Sequence, residues 1–468
     1  MLTDLYSLGV LLGCIGLMMY WVVRGHSVYV IAPLTAVVAL VASGADPLSG
    51  MTGPYMTGFS EYIRRYLPVF LLGAIFGKLM EDSGGVAVLA DRVGRLFGPE
   101  RACLAVVLAC ALLTYGGVSL FVVGFSAYPL AVRLFRDGNL PRRFIPAAIT
   151  FGTITFTMTS AGSPAIQNLI PIPILGTDPR AGWPASLAAA VAMFVSGQWY
   201  LDRAIRKAIQ AGEQFESRSS DLAGRDSPGA CEPGVVRSLA PLLVTVLSLN
   251  LLPLVVRRAG GWLVAIAGET SATGQWGTWF GRFPEDPVLS IFLGVVAALV
   301  LMRRTLADPW TSCATAASSG ILACAATSSV VGFGAILQGL PAFRQVVDAV
   351  MRMPIDPLAG AALAMGIIAM IAGSASGGQG IALPIFKEVY LEGLGVPARA
   401  LHRILSIASG TLDSLPSNGY IVILIRNICG ETHAKSYGPI FVTTVLVPML
   451  GTLVALGVFK FFPATMNY

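Results

Sequence analysis

Two apolar runs in the second half of the chain are each interrupted by small and polar residues. One break covers 371–380, with the sequence IAGSASGGQG, and the other covers 410–419, with the sequence GTLDSLPSNG. In a lipid bilayer, a backbone N–H or C=O group without a helical partner is so costly that such a break persists only where protein buries it or where it lines a wet cavity. Each break therefore marks a candidate ligand site.

The first half of the chain repeats this arrangement. Its breaks cover 114–119, with the sequence TYGGVS, and 157–167, with the sequence TMTSAGSPAIQ. Gly116 and Gly373 are 257 positions apart, and a Phe-Gly pair upstream of each shares this offset. Paired broken helices at matching positions of two halves are typical of secondary transporters, in which they form the substrate site.

The composition excludes a soluble globular protein. Of the 468 residues, 55% are hydrophobic and 12% are charged, whereas about 25% of the residues in soluble domains are charged. The apolar runs recur at the length of about 20 residues that a membrane-spanning helix needs. The net charge of +6 comes from basic residues in short loops between these runs, which indicates contact with membrane lipid and no nucleic-acid partner.

The seven cysteines are scattered, and no pair has the spacing of a redox or metal-binding motif. They are Cys14, Cys103, Cys110, Cys231, Cys313, Cys324 and Cys429. We therefore expect no disulfide, no metal site and no cofactor. The first apolar run lacks a basic segment in front of it, so we interpret it as a retained span and not as a signal peptide.

The apolar runs divide the chain into two repeats, 1–201 and 238–468, joined by a polar linker at 202–237. The first repeat is predicted to contain spans near 5–23, 28–42, 67–80 and 183–201, a surface loop at 43–66, an interfacial amphipathic helix at 86–97, a hairpin at 102–132 and a broken helix at 144–175. The second is predicted to contain spans near 239–256, 288–302, 311–340 and 438–459, an amphipathic segment at 343–351, a hairpin at 358–390 and a broken helix at 401–425. The sequence thus predicts an all-α integral membrane protein with an inverted-topology repeat, two re-entrant hairpins and two discontinuous transmembrane helices.

The basic residues set the orientation of this plan. If each hairpin returns to its own side and each broken helix crosses once, one face collects Arg24, Arg92, Arg95, Arg101, Arg133, Arg136, Arg142, Arg143, Arg203, Arg206 and Lys207. The opposite face of the first repeat holds Arg64, Arg65 and Arg180. By the positive-inside rule the richer face is cytoplasmic, which places the N-terminus in the periplasm and the linker in the cytoplasm.

The chemistry of the breaks suits a small organic anion. Broken helices place helix N-termini, with free N–H groups and positive dipole ends, at membrane depth, where they attract a carboxylate. Glycines allow a ligand to approach the backbone closely, whereas hydroxyls and side-chain amides form hydrogen bonds with it. The candidate substrate-binding residues are Gly116, Gly117, Ser119, Thr159, Ser160, Ser163, Asn168, Gly373, Ser374, Ser376, Gly377, Gly378, Ser414, Ser417 and Asn418. The alternative is that these glycines and serines only allow close helix packing in the membrane.

Asp413 is the candidate for ion coupling, because this carboxylate lies inside a break of the second half. A carboxylate within the membrane is costly and usually serves an ion or proton pathway. The alternative is a cap that accepts hydrogen bonds from the amides of the broken helix. We predict no catalytic residue, because the sequence has no HExxH motif and no second intramembrane carboxylate to pair with Asp413.

Three stretches of the chain resemble the gluconate permease (GntP) family of the ion transporter superfamily. They are 116–129, with GGVSLFVVGFSAYP, 145–171, with FTMTSAGSPAIQNLIP, and 70–85. The resemblance implies a proton-coupled importer of gluconate or a related hydroxy acid in the bacterial inner membrane. It also implies a homodimer with an elevator-type mechanism, in which a transport domain moves against a scaffold. Members of this family carry gluconate, other sugar acids or 3-hydroxybutyrate, so the carboxylate stays open.

Three alternatives stay open at this point. Hydroxyls and unwound carbonyls could hold Na⁺, which would make the chain a sodium-coupled carboxylate symporter. A channel would pass the same substrate down its gradient without coupling. A membrane-embedded enzyme could also place polar residues at the midplane, although no nucleophile and base stand out in the sequence.

Overall fold

The computed structural model describes residues 2–24, 26–118, 120–217, 233–267, 287–343, 345, 355–416 and 418–468. This part of the chain is helical, and it contains no strand. Its α-helices are α1 (Leu2–Val23), α2 (Val28–Ala42), α3 (Pro47–Gly50), α4 (Met56–Asp82), α5 (Gly85–Phe97), α6 (Ala102–Tyr115), α7 (Leu120–Asp137), α8 (Ile145–Thr150), α9 (Ile166–Leu169), α10 (Ile172–Leu175), α11 (Trp183–Gln210), α12 (Val235–Ala267), α13 (Pro287–Leu301), α14 (Pro309–Gln338), α15 (Pro357–Ala372), α16 (Ala375–Phe386), α17 (Ala398–Ser409), α18 (Gly419–Val422), α19 (His433–Phe441) and α20 (Val447–Phe461). Two described helical stretches, Pro309–Gln338 and His433–Phe461, are each long and apolar enough to span a membrane.

Two helix pairs form hairpins around the first break of each half. Helices α6 and α7 pack against each other, and so do α15 and α16. Gly117 (φ +99°) and Gly373 (φ +60°) turn the chain in the left-handed conformation that favours glycine. A Cβ on Gly378 would lie 2.7 Å from the Cα of Ala369 in the facing helix. The breaks therefore need glycine both to turn the chain and to let the paired helices approach.

The two glycines that turn the chain differ by one residue from the pair that the sequence aligns. The sequence pairs Gly116 with Gly373, but Gly116 has the ordinary right-handed helical conformation. Gly117 and Gly373 are 256 positions apart, as are Pro141 and Pro397. Each of these prolines directly precedes a helical segment. The offset of 256 therefore matches both the hairpin turns and the starts of the following helices.

The other two breaks interrupt the helices that follow the hairpins. Helix α8 continues as a π-helix to Thr155, and the chain becomes helical again at Ile166. In the second half, α17 ends at Ser409 and the next helix begins at Gly419. Residues 116–118, 157–165 and 410–416 of three predicted breaks thus lie between helices. The fourth prediction, 371–380, is too long, because only Gly373 and Ser374 lie between helices and 375–380 form the start of α16.

The predicted surface loop at 43–66 is wrong, because this segment is helical from α3 onward. Asp46 caps α3 with its side chain, and a π-helix at Met51–Tyr55 leads directly into α4. Glycine and tyrosine, which suggested a loop, serve here to pack helices. Tyr55 lies against Gly332 of α14, where a Cβ would meet the tyrosine ring at 3.0 Å. Composition alone does not separate a loop from a closely packed helix pair.

The beginning of the predicted linker is structured. Helix α11 continues past the predicted start of the linker, and the chain then docks on the loop between α7 and α8. Glu213 accepts hydrogen bonds from Nε and Nη2 of Arg143 at 2.7 and 2.9 Å, and these bonds lower the pKa of Glu213. The backbone N–H of Phe215 donates to Oδ1 of Asn139 at 3.1 Å. The linker residues 218–232 and most of the predicted amphipathic segment at 343–351 lie outside the described residues.

The docked segment yields a stability prediction. The ring centroid of Phe215 lies 5.7 Å from the guanidinium carbon of Arg136 and 5.9 Å from that of Arg142. We expect Phe215→Ala to lower the free energy of unfolding by about 1 kcal/mol, because a cation–π contact at a partly exposed site contributes roughly 0.5–1 kcal/mol. Thermal unfolding of the detergent-purified protein measures this change. Glu216→Ala, at the exposed neighbouring position, is the control, and equal unfolding midpoints for the two variants would contradict the prediction.

Candidate functional site

Helix α17 of the second half carries Arg403 into the second break of the first half. The side chain of Arg403 is fully buried. Its Nε donates to the carbonyl oxygen of Ala181 at 2.8 Å, and its Nη1 donates to that of Thr159 at 2.5 Å. Its Nη2 donates to Oδ1 of Asn168 at 2.9 Å. Of these three acceptors, the carbonyl oxygen of Thr159 lies in the break itself, Asn168 lies in α9, and Ala181 precedes α11. One cation thereby satisfies buried acceptors in and just after the break.

A second set of hydrogen bonds ties the same break to α16 and α17. The carbonyl oxygen of Gln167 accepts from Nε2 of Gln379 at 3.0 Å and from the hydroxyl of Ser406 at 3.2 Å. A Cβ built on Gly410 would lie 3.7 Å from Cγ2 of Thr159. The second breaks of the two halves therefore lie side by side.

Asp413 lies where the two breaks of the second half meet. Its side chain is buried, and its carboxylate accepts a hydrogen bond from the hydroxyl of Ser414 at 2.8 Å. The carboxylate also interacts with the backbone N–H of Ala375, the first residue of α16. It therefore faces the positive end of a helix dipole, which stabilises a negative charge. Both the coupling role and the capping role fit this placement.

The two candidate asparagines use their amides within the protein. Nδ2 of Asn168 donates to the carbonyl oxygen of Pro179 at 3.0 Å, while Oδ1 accepts from the buried arginine. Nδ2 of Asn418 donates to the backbone carbonyl oxygen of Asp413 at 3.0 Å. Its Oδ1 accepts from the backbone N–H of Tyr420 at 2.9 Å, at the start of α18. In this geometry both amides hold the breaks in shape.

Most of the candidate hydroxyls form hydrogen bonds close to their own positions. Thr159 and Ser160 donate to backbone carbonyls one helical turn earlier, and Ser163 accepts from the N–H two residues later. Ser374 and Ser376 bond to each other at 3.2 Å, and the first of them also caps α16. Ser119 and Ser417 lie outside the described residues.

The candidate glycines differ in their surroundings. Gly116, Gly377 and Gly378 lie against neighbouring side chains or backbone, so close packing explains them. At Gly373, by contrast, no atom lies within 4 Å of the position that a Cβ would occupy. This glycine leaves the backbone of the second hairpin open to a ligand.

A cavity of about 670 Å³ lies between α4 and α14 on one side and the first hairpin with its neighbouring break on the other. Of the described candidate residues, Gly117 is the one on its wall, together with Met158 and Pro164 from the break. The volume is within the range of about 300–1,000 Å³ that is typical of small-molecule pockets. The structure therefore places one first-half candidate, Gly117, on the wall of this cavity, whereas the second-half candidates lie in the two breaks that meet at Asp413.

Metal-binding clusters are absent from the described ranges, where no group of three or more His, Cys, Asp or Glu side chains is placed to hold a metal ion. The cysteines of the same ranges are free thiols, and Cys231 lies outside them. The chemistry of the described site is thus that of hydroxyls, amides, backbone groups, one buried arginine and one buried carboxylate.

The chain is similar to membrane transporters over nearly its whole length. The model of the GntP family permeases matches residues 6–456. The uncharacterized transporter YxjC of Bacillus subtilis (strain 168) is 35% identical over 460 residues, which cover 93% of this chain and 95% of that protein. The crystal structure of the Alcanivorax borkumensis YdaH transporter, which is described as revealing an unusual topology, matches with a TM-score of 0.56. The match covers 91% of each chain at 17% sequence identity, so it shows a similar fold. The family match and the relative favour a transporter over an enzyme.

Proposed function

The chain belongs to the GntP family of permeases, which are membrane-embedded transporters, and we propose that it is a proton-coupled symporter of a small hydroxy-carboxylate. The substrate is gluconate, a related sugar acid or 3-hydroxybutyrate, which are the anions that the resemblance in the sequence implies. We further propose that it works as a homodimer in the bacterial inner membrane, with no cofactor besides the coupling ion.

The burial of Asp413 beside a helix N-terminus is the observation that carries this proposal. An ionised Asp413 occupies the positive end of α16 through the N–H of Ala375. Protonation removes this charge, and the helix end then becomes available to the carboxylate of a substrate. One proton would in this way accompany each bound anion, which is the requirement of symport.

An elevator-type mechanism is proposed from two further features. The hydrogen bonds of Arg403 and Gln379 hold breaks from the two halves together, so these elements can move as one body. The cavity lies between part of this body and the helices α4 and α14. We propose that this body contains the inverted repeats and the re-entrant hairpins. Its movement against α4 and α14 would expose the site to each face of the membrane in turn.

Uptake into proteoliposomes tests the proposed function. With an inward proton gradient and no sodium, we expect hydroxy acids to accumulate above their external concentration, whereas a channel would only equilibrate them. Carbonyl oxygens of the unwound segment 410–416 beside Asp413 favour sodium as the alternative coupling ion. Accumulation that requires a sodium gradient and does not depend on the pH gradient would support sodium coupling instead. A chemically altered product in the vesicles would instead indicate an enzyme.

The proposed topology predicts a labelling pattern, with the N-terminus periplasmic and the linker cytoplasmic. In a background without native cysteines, Ser217→Cys should react with an impermeant maleimide only from the cytoplasm, and Ala45→Cys only from the periplasm. Both positions are exposed. Tyr55→Cys is the matched negative control, because Tyr55 follows Ala45 closely in the chain but is only 5% exposed. The reverse pattern would overturn the orientation and exchange the faces from which the two hairpins enter.

A further inference from the structure

Helix α11 has one packed face and one open face. The packed face lies against α20, where a Cβ on Gly451 would lie 2.6 Å from Sδ of Met193. The open face carries a shallow groove of about 550 Å³, which is lined by Ala188, Val191, Ala192, Val195, Ser196 and Trp199. The hydroxyl of Ser196 donates to the carbonyl oxygen of Ala192 at 2.6 Å and is thus satisfied within the helix. Apart from the ring nitrogen of Trp199, the groove therefore presents hydrocarbon, which suits an acyl chain.

The same face of α11 continues into a basic cluster, which consists of Arg203, Arg206 and Lys207. Arg203 and Arg206 follow Trp199 by four and seven positions, a spacing that keeps residues on one face of a helix. All three basic side chains are exposed. The guanidinium carbon of Arg203 lies 5.8 Å from the ring centroid of Trp199. The groove and the basic cluster thus form one continuous surface.

The basic cluster has no ion-pair partner among the described residues. Arg95 of α5, by contrast, pairs with Asp91 at 2.6 Å. The acidic residue beside the cluster, Asp202, accepts a hydrogen bond from Nε2 of Gln198 at 2.8 Å. Three basic residues and this one acid leave the end of the helix with a net charge of +2. This charge attracts an anion to the end of the apolar groove.

The length of α11 sets the depth of the cluster in the membrane. Trp183 and Arg203 are about 30 Å apart along the helix axis, at a rise of roughly 1.5 Å per residue. The hydrocarbon core of a bilayer is also about 30 Å thick. Trp183 and Trp199 are exposed, and tryptophan is enriched at both interfaces of a membrane. When the groove lies in hydrocarbon, the basic cluster therefore lies at the level of the lipid phosphates.

We propose that the open face of α11 binds an anionic phospholipid. One acyl chain lies in the groove, and the phosphate group lies beside Arg203 and Arg206. The long arginine side chains can reach the headgroup while their stems stay on the apolar surface. Basic residues at the end of a membrane-spanning helix attract anionic lipids in this way. This site is separate from the breaks that contain Asp413 and does not depend on which substrate the protein carries.

A second copy of the chain fits this face less well than a lipid does. Copies of one chain share their orientation in the membrane, so a two-fold axis through this face would run along the membrane normal. The two α11 helices would then be parallel, and each basic cluster would face its own copy. Such a juxtaposition of like charges opposes pairing. The phosphate of a lipid brings the opposite charge to the same place.

Fluorescence quenching by brominated phospholipids tests the site on the full-length protein. The chain has 7 tryptophans, and a reporter variant retains only Trp199, with phenylalanine at the other positions. The protein is reconstituted in vesicles of phosphatidylcholine and phosphatidylglycerol, with bromine on the acyl chains of one lipid or the other. We expect phosphatidylglycerol to bind at Trp199 about tenfold more tightly than phosphatidylcholine. Equal binding of the two lipids would overturn the proposal, because the face would then contact only bulk lipid.

Variants of Arg203 test the contribution of the basic cluster. In the reporter protein, Arg203→Gln should reduce the preference for phosphatidylglycerol about fivefold, whereas Arg203→Lys keeps the charge and should keep the preference. Arg95→Gln is the control, because it removes an exposed charge that is already paired. An unchanged preference in Arg203→Gln, or an equal loss in Arg95→Gln, would contradict the proposed site.

Two further measurements use proteins that keep all the tryptophans. A lipid that binds the native protein raises its unfolding midpoint, so phosphatidylglycerol should stabilise the parent protein in detergent more than it stabilises Arg203→Gln. Equal stabilisation of both would count against the site. In a background without native cysteines, Ser196→Cys should not be joined to a second copy by a short bifunctional maleimide. Efficient cross-linking in membranes would show that a second copy covers this face and would overturn the proposal.

Discussion

Replacing Asp413 by asparagine should abolish uptake driven by a pH gradient while substrate binding persists. Asparagine keeps the size of the side chain and mimics the protonated carboxyl, so the end of α16 stays available to the substrate at every pH. We therefore expect binding that no longer depends on pH and changes by less than about tenfold, or about 1.4 kcal/mol. Proteoliposome uptake without sodium, beside a direct binding assay on the same variant, measures both quantities.

Asp356→Asn is the matched control for this substitution. Asp356 caps α15, where its Oδ1 accepts from the backbone N–H groups of Leu358 and Ala359 at 2.9 and 3.3 Å. An asparagine caps a helix about as well as an aspartate, so gradient-driven uptake should survive this change. Wild-type accumulation by Asp413→Asn as well would reduce Asp413 to a cap of the same kind. Coupling would then fall to a sodium ion or to other groups in the breaks.

The breaks could be predicted from the sequence because their cost in hydrocarbon is a local property. A stretch such as 410–419 violates helix propensity and apolarity wherever the rest of the chain lies. The segment 43–66 shows the limit of local reasoning. Its glycines and tyrosines suggest a loop, whereas their partners on α14 are distant in sequence and turn the segment into packed helix.

The residues that join the halves could not be predicted from composition. Gln379 and Arg403 lie on helices of the second half, but their acceptors Gln167 and Thr159 lie in a break of the first. The signal that was available is the charge of Arg403, which directly precedes the mostly apolar stretch 404–408. A buried cation in a membrane protein needs partners. Naming those partners required the three-dimensional arrangement.

Replacing Arg403 by methionine should destabilise the protein far more than the loss of an exposed ion pair or a single cap. Methionine is similar in length and suits an apolar setting, but it leaves the carbonyl oxygens of Ala181 and Thr159 and Oδ1 of Asn168 buried without donors. We expect a loss of about 3–5 kcal/mol in the free energy of unfolding, because several charge-assisted hydrogen bonds disappear together. Thermal unfolding in detergent measures this loss of stability. Uptake in proteoliposomes shows whether transport is lost with it.

Arg399→Met separates the effect of the buried guanidinium from that of charge alone. Arg399 lies one helical turn before Arg403, is about two-fifths exposed and pairs with Asp178 at 2.6 Å. Loss of such an exposed pair costs less than about 1 kcal/mol, so this variant should unfold and transport almost as the parent protein does. Arg403→Lys retains the charge but cannot reproduce the planar fork that serves three acceptors at once, and it should recover only part of the stability. If Arg403→Met and Arg399→Met behave alike, the two breaks are held together by helix packing and not by the guanidinium.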